Sequence, residues 1–390
     1  MFNFQLGEYM KLIKLSFAAI IAAGAMTTFA SATPLEDAIK GVEVSGMARY
    51  RFYHQSDRGI GYGDNQTQRN RFSGELNIAS PIADNLKFGI SLTTDANNFA
   101  SNDASSTDGV NVDKFWFQYA INDLTIKAGK MEIPTPWTES AFAGTRGNGI
   151  LALYSGVENW TFAAAYYNQV NGIWDNHGVI DESIFGQEDL MAAAIIGSYD
   201  IFGAQLWASR MTNVFDYSVF AQVNVNLSGF NALAQMNYLR LADELKGTFD
   251  DDSGIFMGFT AGYKNDNFFV EAGYTKTDRD MGIYSLTPDD DSFIKFGQQL
   301  YYLTHNYEDQ AVYFLRGGFN YNKFGFEAGF GFNDDGIDSD EDLKEYYGSV
   351  SYQCSKNFSL QAYYSFLDAK KVAEDYLENK EFRFQALYTF

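Results

Sequence analysis

Cysteine, histidine and proline are scarce in this chain, and long apolar runs are absent beyond its opening stretch. The single cysteine, Cys354, excludes an intrachain disulfide and a thiolate metal cluster. The three histidines, His54, His177 and His305, lie too far apart for zinc-ligand spacing. No Gly-x-Ser-x-Gly, no phosphate-binding loop and no Ser/His/acid set occurs, so the usual hydrolase and nucleotide-enzyme signatures are missing. Basic residues are few, 28 against 50 acidic, and a net charge of −22 argues against nucleic-acid binding. Beyond the first thirty or so residues nothing approaches the roughly 18 apolar residues that a spanning helix needs. The five prolines, Pro34, Pro81, Pro134, Pro136 and Pro288, fall where loops or the N-terminal lead-in are expected, leaving sheet ladders uninterrupted.

Aromatic residues and glycine are abundant instead. Phe (35), Tyr (26) and Gly (35) stand out, and aromatics make up 17% of the chain, yet the mean hydropathy is −0.25. Apolar side chains must therefore be interleaved with polar ones, as alternating lipid-facing and lumen-facing positions would do. The apolar run that does exist follows Lys11 and Lys14, extends from Leu15 to Phe29 and ends at Ala30-Ser31-Ala32. Basic, apolar and small-residue regions in that order predict a secretory signal peptide over 1–32, with Met10 an alternative start to Met1. Removing Glu8, Lys11 and Lys14 with it leaves 26 basic and 49 acidic residues, a net charge of −23.

The remainder, 33–390, reads as one domain with period-two alternation throughout. The clearest case sets Phe324, Phe326, Ala328, Phe330 and Phe332 against Gly325, Glu327, Gly329, Gly331 and Asn333. Strands are expected over 42–53 and 69–79, then on segments marked by Leu86–Leu92, Phe115–Ile121 and Leu124–Ala128. Further strands are expected near 150–156, 160–169, 189–199, 204–211, 217–227, 231–240, 255–264, 268–277, 311–321, 324–333, 344–353, 358–367 and 381–390. Short turns such as Asn122-Asp123 and Asn322-Lys323 alternate with long acidic connections such as 241–254 and 278–310. This predicts an all-β fold: a transmembrane antiparallel β-barrel of about 18 strands, with short periplasmic turns and long outer loops. Tyr53, Trp116, Trp160, Tyr263, Tyr274 and Tyr352 are expected in interfacial girdles. The terminal strand should close the barrel against the first, and Tyr388 with Phe390 resembles the terminal signal read by the barrel assembly machinery. The expected location is the bacterial outer membrane, among its lipid and lipopolysaccharide.

A barrel this wide leaves an aqueous channel unless plugged. The third outer loop, placed at 131–149, holds two prolines, Trp137 and three glycines, and is expected to fold into the pore. Glu132, Glu139 and Arg146 would then lie near the constriction. Strand parity points Arg49, Arg51, Arg69, Arg71 and Arg383 into the lumen as one wall patch, with Lys127 and Arg316 also inward. A transverse field between basic wall and acidic loop would orient dipolar solutes. The alternative is that the arginines pair with Glu43 and Glu75 and merely pack the lumen. The acidic loop clusters lack the ordered spacing of a calcium loop and read as solvated charge.

Thr33-Pro-Leu-Glu-Asp-Ala-Ile-Lys40, Val44-Ser-Gly, Arg49-Tyr-Arg51, Ile82-Ala-Asp-Asn85, Ala128-Gly-Lys130, Trp137-Thr138, Ala194-Ile-Ile-Gly-Ser-Tyr-Asp200 and Phe384-Gln-Ala-Leu-Tyr388 occur in this order. In these segments the chain resembles the major outer-membrane porin family of Campylobacter and related bacteria. The resemblance implies an 18-stranded, trimeric general porin with a calcium ion held by acidic residues at the constriction. Where that family has an Asp after the Trp-Thr pair, this chain has Ala143; Asp175 and one of Asp289, Asp290 and Asp291 would match the other ligands. The expected function is passive, weakly cation-selective diffusion of ions and small hydrophilic solutes through a homotrimer, with no enzymatic chemistry and no cofactor beyond that implied calcium. The rivals are a substrate-specific channel lined by Tyr167 and Trp174, an adhesin acting through its outer loops and, more remotely, an outer-membrane hydrolase.

Overall fold

A computed structural model describes residues 41–58, 65–99, 109–140, 142, 144–171, 187–247, 251–283, 286, 292–298, 300, 304–335, 343–369 and 378–390. Eighteen strands follow one another in the order β1 (Glu43–Arg58), β2 (Asn65–Ala83), β3 (Leu86–Phe99), β4 (Asn111–Ile121), β5 (Leu124–Glu132), β6 (Arg146–Val157), β7 (Trp160–Asn171), β8 (Leu190–Ser198) and β9 (Phe202–Met211). The second half comprises β10 (Phe215–Leu227), β11 (Phe230–Leu241), β12 (Ser253–Lys264), β13 (Phe268–Thr277), β14 (Gln310–Tyr321), β15 (Phe324–Asp335), β16 (Leu343–Ser355), β17 (Phe358–Ala369) and β18 (Glu378–Thr389). Each strand pairs antiparallel with its sequence neighbours, and β1 also pairs with β18. The sheet is thereby closed and has no unpaired edge, the arrangement that lets strands cross a lipid bilayer. Among the described residues no helix is long and apolar enough to cross a membrane.

Alternation decides which face each side chain takes. Val44, Phe72, Leu206, Met257 and Leu315 point outward and are more than half or nearly half exposed. Their strand neighbours turn inward to charge, amide or hydroxyl partners, or to buried apolar ones. At one end the turns are tight. Asn122 and Asn322 sit at φ 49° and 55°, a left-handed conformation that asparagine tolerates better than most residues. At the next such turn Asn265 accepts the amides of Asn267 and Phe268, each at 2.9 Å.

The opposite end carries the longer connections, with one exception. Only three residues, 212–214, join β9 to β10, so the alternation of long and short is not strict. Three other expectations are corrected. Tyr53 and Trp116 belong to the lumen, not to an outer girdle: Tyr53 lies under Arg69 and Trp116 under Lys127. Pro81 lies inside β2, close to its end, where the register with β3 shifts, a place in a sheet that tolerates proline. The third long-end loop spans only 133–145, because β5 and β6 run further than their alternation suggests.

Candidate functional site

The lumen wall has two chemically different halves. On β1–β5 and β18 the inward positions are charged. Arg71 holds Asp95 with Nε at 2.9 Å and Nη2 at 2.6 Å from Oδ2, and Ser73 donates to the same carboxylate at 2.8 Å. Lys114 bridges Glu75 and Glu132 at 2.9 Å each, and Glu132 also takes Lys127 at 3.4 Å. Lys87 holds Glu43 at 2.7 Å, and Arg146 holds Asp113 at 2.9 Å. Across the lumen Arg316 on β14 pairs with Glu271 on β13.

Four arginines of this wall stand differently. Strand register aligns Arg69, Tyr53, Arg383 and Tyr363 in one row across β2, β1, β18 and β17. Arg69 lies over the Tyr53 ring at 4.3 Å and Arg383 over Tyr363 at 5.0 Å. In the adjacent row Arg51 faces Arg71 across strands, donates to Gln385 Oε1 at 2.6 Å and reaches the Tyr53 hydroxyl at 3.2 Å. Arg49 donates to Ser73 Oγ at 3.3 Å. Among the described residues, Arg49, Arg51, Arg69 and Arg383 have no carboxylate partner, and Nε of Arg49, Arg69 and Arg383 is buried without an acceptor. The acids that could have neutralised them, Glu43 and Glu75, bind lysines instead.

From β6 to β12 the inward face is mainly apolar, with Ser218, Gln222, Gln235, Asn237 and Thr260 as buried polar members. Leu151, Leu153, Ala194, Ile196, Trp207, Phe220 and Phe256 are buried there, inside the barrel. Two loops are packed against this face. The third loop places Ile133 and Trp137 in the cluster, and the Trp137 indole N–H donates to Asn237 Oδ1 on β11 at 2.9 Å. It also closes on itself, with the Thr145 amide donating to Glu139 O at 2.7 Å. Its Phe142 lies 5.2 Å from the Arg49 guanidinium on β1. One loop thus touches both halves of the wall, which is possible only if it crosses the lumen. The seventh loop, between β13 and β14, adds Met281, Ile283, Leu286 and Phe293 to the same cluster.

Every inward position predicted for Arg49, Arg51, Arg69, Arg71, Lys127, Arg316 and Arg383 is found on the lumen side. Glu132 and Arg146 close the ends of β5 and β6, within the charged wall. The residue that the third loop turns toward Arg49 is therefore an aromatic ring, while Glu132 belongs to the same wall as the arginines. Tyr167 is fully buried beneath the third loop and lines no open surface. Trp174, Ala143, Asp175, Asp289, Asp290 and Asp291 lie outside the described residues. Among those described, no group of three His, Cys, Asp or Glu could hold a metal ion. Sequence reasoning missed the seventh loop, although Met281, Ile283, Leu286, Phe293, Ile294, Phe296 and Leu300 are unusual in an acidic connection.

A family model for the Campylobacter major outer membrane protein matches residues 10–390. The chain belongs to that family. It is an outer-membrane porin, and family and barrel together point away from an enzyme. No curated protein matches. Among solved structures, Pseudomonas aeruginosa OccK3 (OpdO) is similar at TM-score 0.67 and 15% identity, over 91% of this chain and 97% of that one. P. aeruginosa OpdK with vanillate gives 0.66 and 10% identity over 89% and 99%, and Acinetobacter baumannii OccAB4 gives 0.67 and 11% over 89% and 98%. At these identities the likeness is one of fold, and it places this Campylobacter-type porin among closed outer-membrane barrels.

Proposed function

We propose that this porin is a general diffusion channel, a homotrimer passing ions and small hydrophilic solutes with weak cation preference and no chemistry of its own. The observation that carries the reading is a charged lumen wall still open to water: the Arg71 and Asp95 side chains keep 32% and 27% of their surface accessible. Acidic loops at the outer mouth raise the local cation concentration, while the unpaired arginines deeper in the wall oppose it, so the preference is weak. Planar-bilayer recording under a salt gradient tests this. Large ohmic steps with a small cation-directed reversal potential are expected, and absence of conductance would sink the reading. Replacing Arg49, Arg51, Arg69 and Arg383 together by Ser raises cation preference; an unmoved reversal potential places them away from the constriction.

A substrate-specific channel is the second reading, and the Arg69–Tyr53–Arg383–Tyr363 row favours it. Alternating guanidinium and ring suit a small aromatic carboxylate, and OpdK, a barrel of the same fold, was solved with vanillate. Block of the open channel by micromolar vanillate supports this reading; ohmic current unaffected at millimolar levels favours general diffusion. The trimer reading is supported by a shallow outer furrow, where Gly317, Ala328, Gly348 and Ala362 interrupt the aromatic belt and would admit a second copy. Tyr388 and Phe390, both outward and exposed, are assigned to recognition by the assembly machinery, and the outer loops to contact with lipopolysaccharide. No resident cofactor belongs to this reading. Stoichiometric calcium in purified trimer would overturn that and return attention to Asp175 and Asp289–Asp291.

A further inference from the structure

The seventh loop is seated in a prepared dock. Where it enters, Gln235 on β11 donates Nε2 to Ser292 O at 2.6 Å and accepts the Ile294 amide at 2.8 Å. Five strands away, the Glu345 carboxylate on β16 accepts the Gln298 amide on Oε1 at 2.8 Å and the Leu300 amide on Oε2 at 2.9 Å. Between these anchors Phe296 stacks on Phe314 of β14, with centroids 5.0 Å apart, and meets Tyr347 of β16 at 5.4 Å. Room for the ring comes from β15, where a Cβ at Gly331 would overlap Phe296 and one at Gly329 would overlap Tyr347 and Phe296. Gly297 has φ +73°, and a Cβ there would run into the Glu345 carboxylate. Ile294, Phe296 and Leu300 are buried with Leu233, Phe314 and Leu367, in a cluster separate from that holding the third loop.

Glu345 is fully buried. A carboxylate in that position is costly unless its lone pairs are met. Here both oxygens accept loop amides, and charge-assisted bonds of this kind are among the stronger ones. They also make the wall residue and the loop mutually dependent. The two glycines of β15 leave a furrow that only an inserted side chain fills, and a dry furrow without Phe296 would forfeit its dispersion contacts.

We propose that residues 292–298 with Leu300 form a second constriction, latched across the inner wall by Glu345, and that this latch sets the upper size of solute the channel passes. The size-limiting role rests on the diffusion reading above, whereas the latch does not. Two variants separate the contributions: Glu345→Gln weakens the latch from the wall, and Gly297→Ala displaces the loop without touching a strand. Trypsin provides a native reporter, since Lys295 lies within the docked segment. The wild-type trimer in detergent should resist cleavage at Lys295, while both variants should be cut there with the heat-stable barrel intact. In bilayers both should conduct roughly 1.5-fold more or better, because pore width governs conduction, and in liposome swelling they should admit larger sugars than wild type. Uncut Lys295 and unchanged conductance in a folded variant overturn the proposal. Cleavage without a change in conductance or sugar cut-off overturns the constriction. Should Glu345→Gln fail to assemble, Gly297→Ala decides alone. A wild-type protein that conducts nothing would refute the diffusion reading, and the size limit with it, while the trypsin result still judges the latch.

Discussion

The two halves of the lumen wall do opposite things with the same strand geometry. Along β6–β12 the inward residues are mostly Leu, Ile, Ala, Trp and Phe, with buried amides and hydroxyls such as Gln235 and Asn237 among them, and loops leave solvent to cover them. Along β1–β5 and β18 the inward residues include Arg, Lys, Asp and Glu; some neutralise one another, four arginines have no carboxylate partner among the described residues, and pairs such as Arg71–Asp95 keep part of their surface in water. A barrel of this width cannot be filled by its own side chains. An apolar inner face is therefore an instruction for something to lie on it, and a charged inner face is an instruction to leave it open.

Breaking the apolar half should cost most. Trp137→Ala removes a buried indole and its bond to Asn237, and should destabilise by about 3–5 kcal/mol while freeing the third loop, read as a lower denaturant midpoint in micelles and a higher conductance. Within the charged half, Lys114→Met leaves Glu75 and Glu132 without their shared cation. A loss of about 2–3 kcal/mol is expected, at the low end for a buried pair because Glu132 is partly open, with reversal potential moving toward cations. The sharpest contrast is Arg71→Ser against Arg383→Ser. Both remove one positive charge and should shift selectivity in the same direction. Only the first breaks an ion pair, costing about 1 kcal/mol, whereas the second should be within about 0.5 kcal/mol of wild type, as it forfeits one ring contact and also removes a guanidinium whose buried Nε has no acceptor. Smallest is Phe142→Ala, about 0.5 kcal/mol, visible as a slight conductance increase and no change in selectivity.

Much of this was legible in the chain itself. The lumen orientation of Arg49, Arg51, Arg69, Arg71 and Arg383 follows from counting by two, because successive side chains on a strand must take opposite faces. The pairing of Arg383 with the first strand follows from closure. What parity could not supply was the partner of each charge. Arg71 met Asp95 rather than Glu75, since ion pairing depends on which residues the register sets side by side, and a shift of one residue would change every neighbour. Tyr53 and Trp116 were misplaced because aromatic residues near strand ends suit either a membrane interface or a cation in the lumen, and composition does not tell the two apart.

The inward fold of the third loop was signalled by Pro134, Pro136 and Trp137. That of the seventh was not, although the two glycines that receive Phe296 stood out in the alternation of β15 from the start. Strand number, facing and closure can be read from the chain alone, since these rest on local periodicity and the hydrogen-bonding demand of the backbone. The seats of the loops on the wall, and which arginines lack a carboxylate among the described residues, emerge with the closed barrel. Those depend on contacts between residues such as Phe296 and Gly331, or Trp137 and Asn237, that become neighbours only after the barrel has closed.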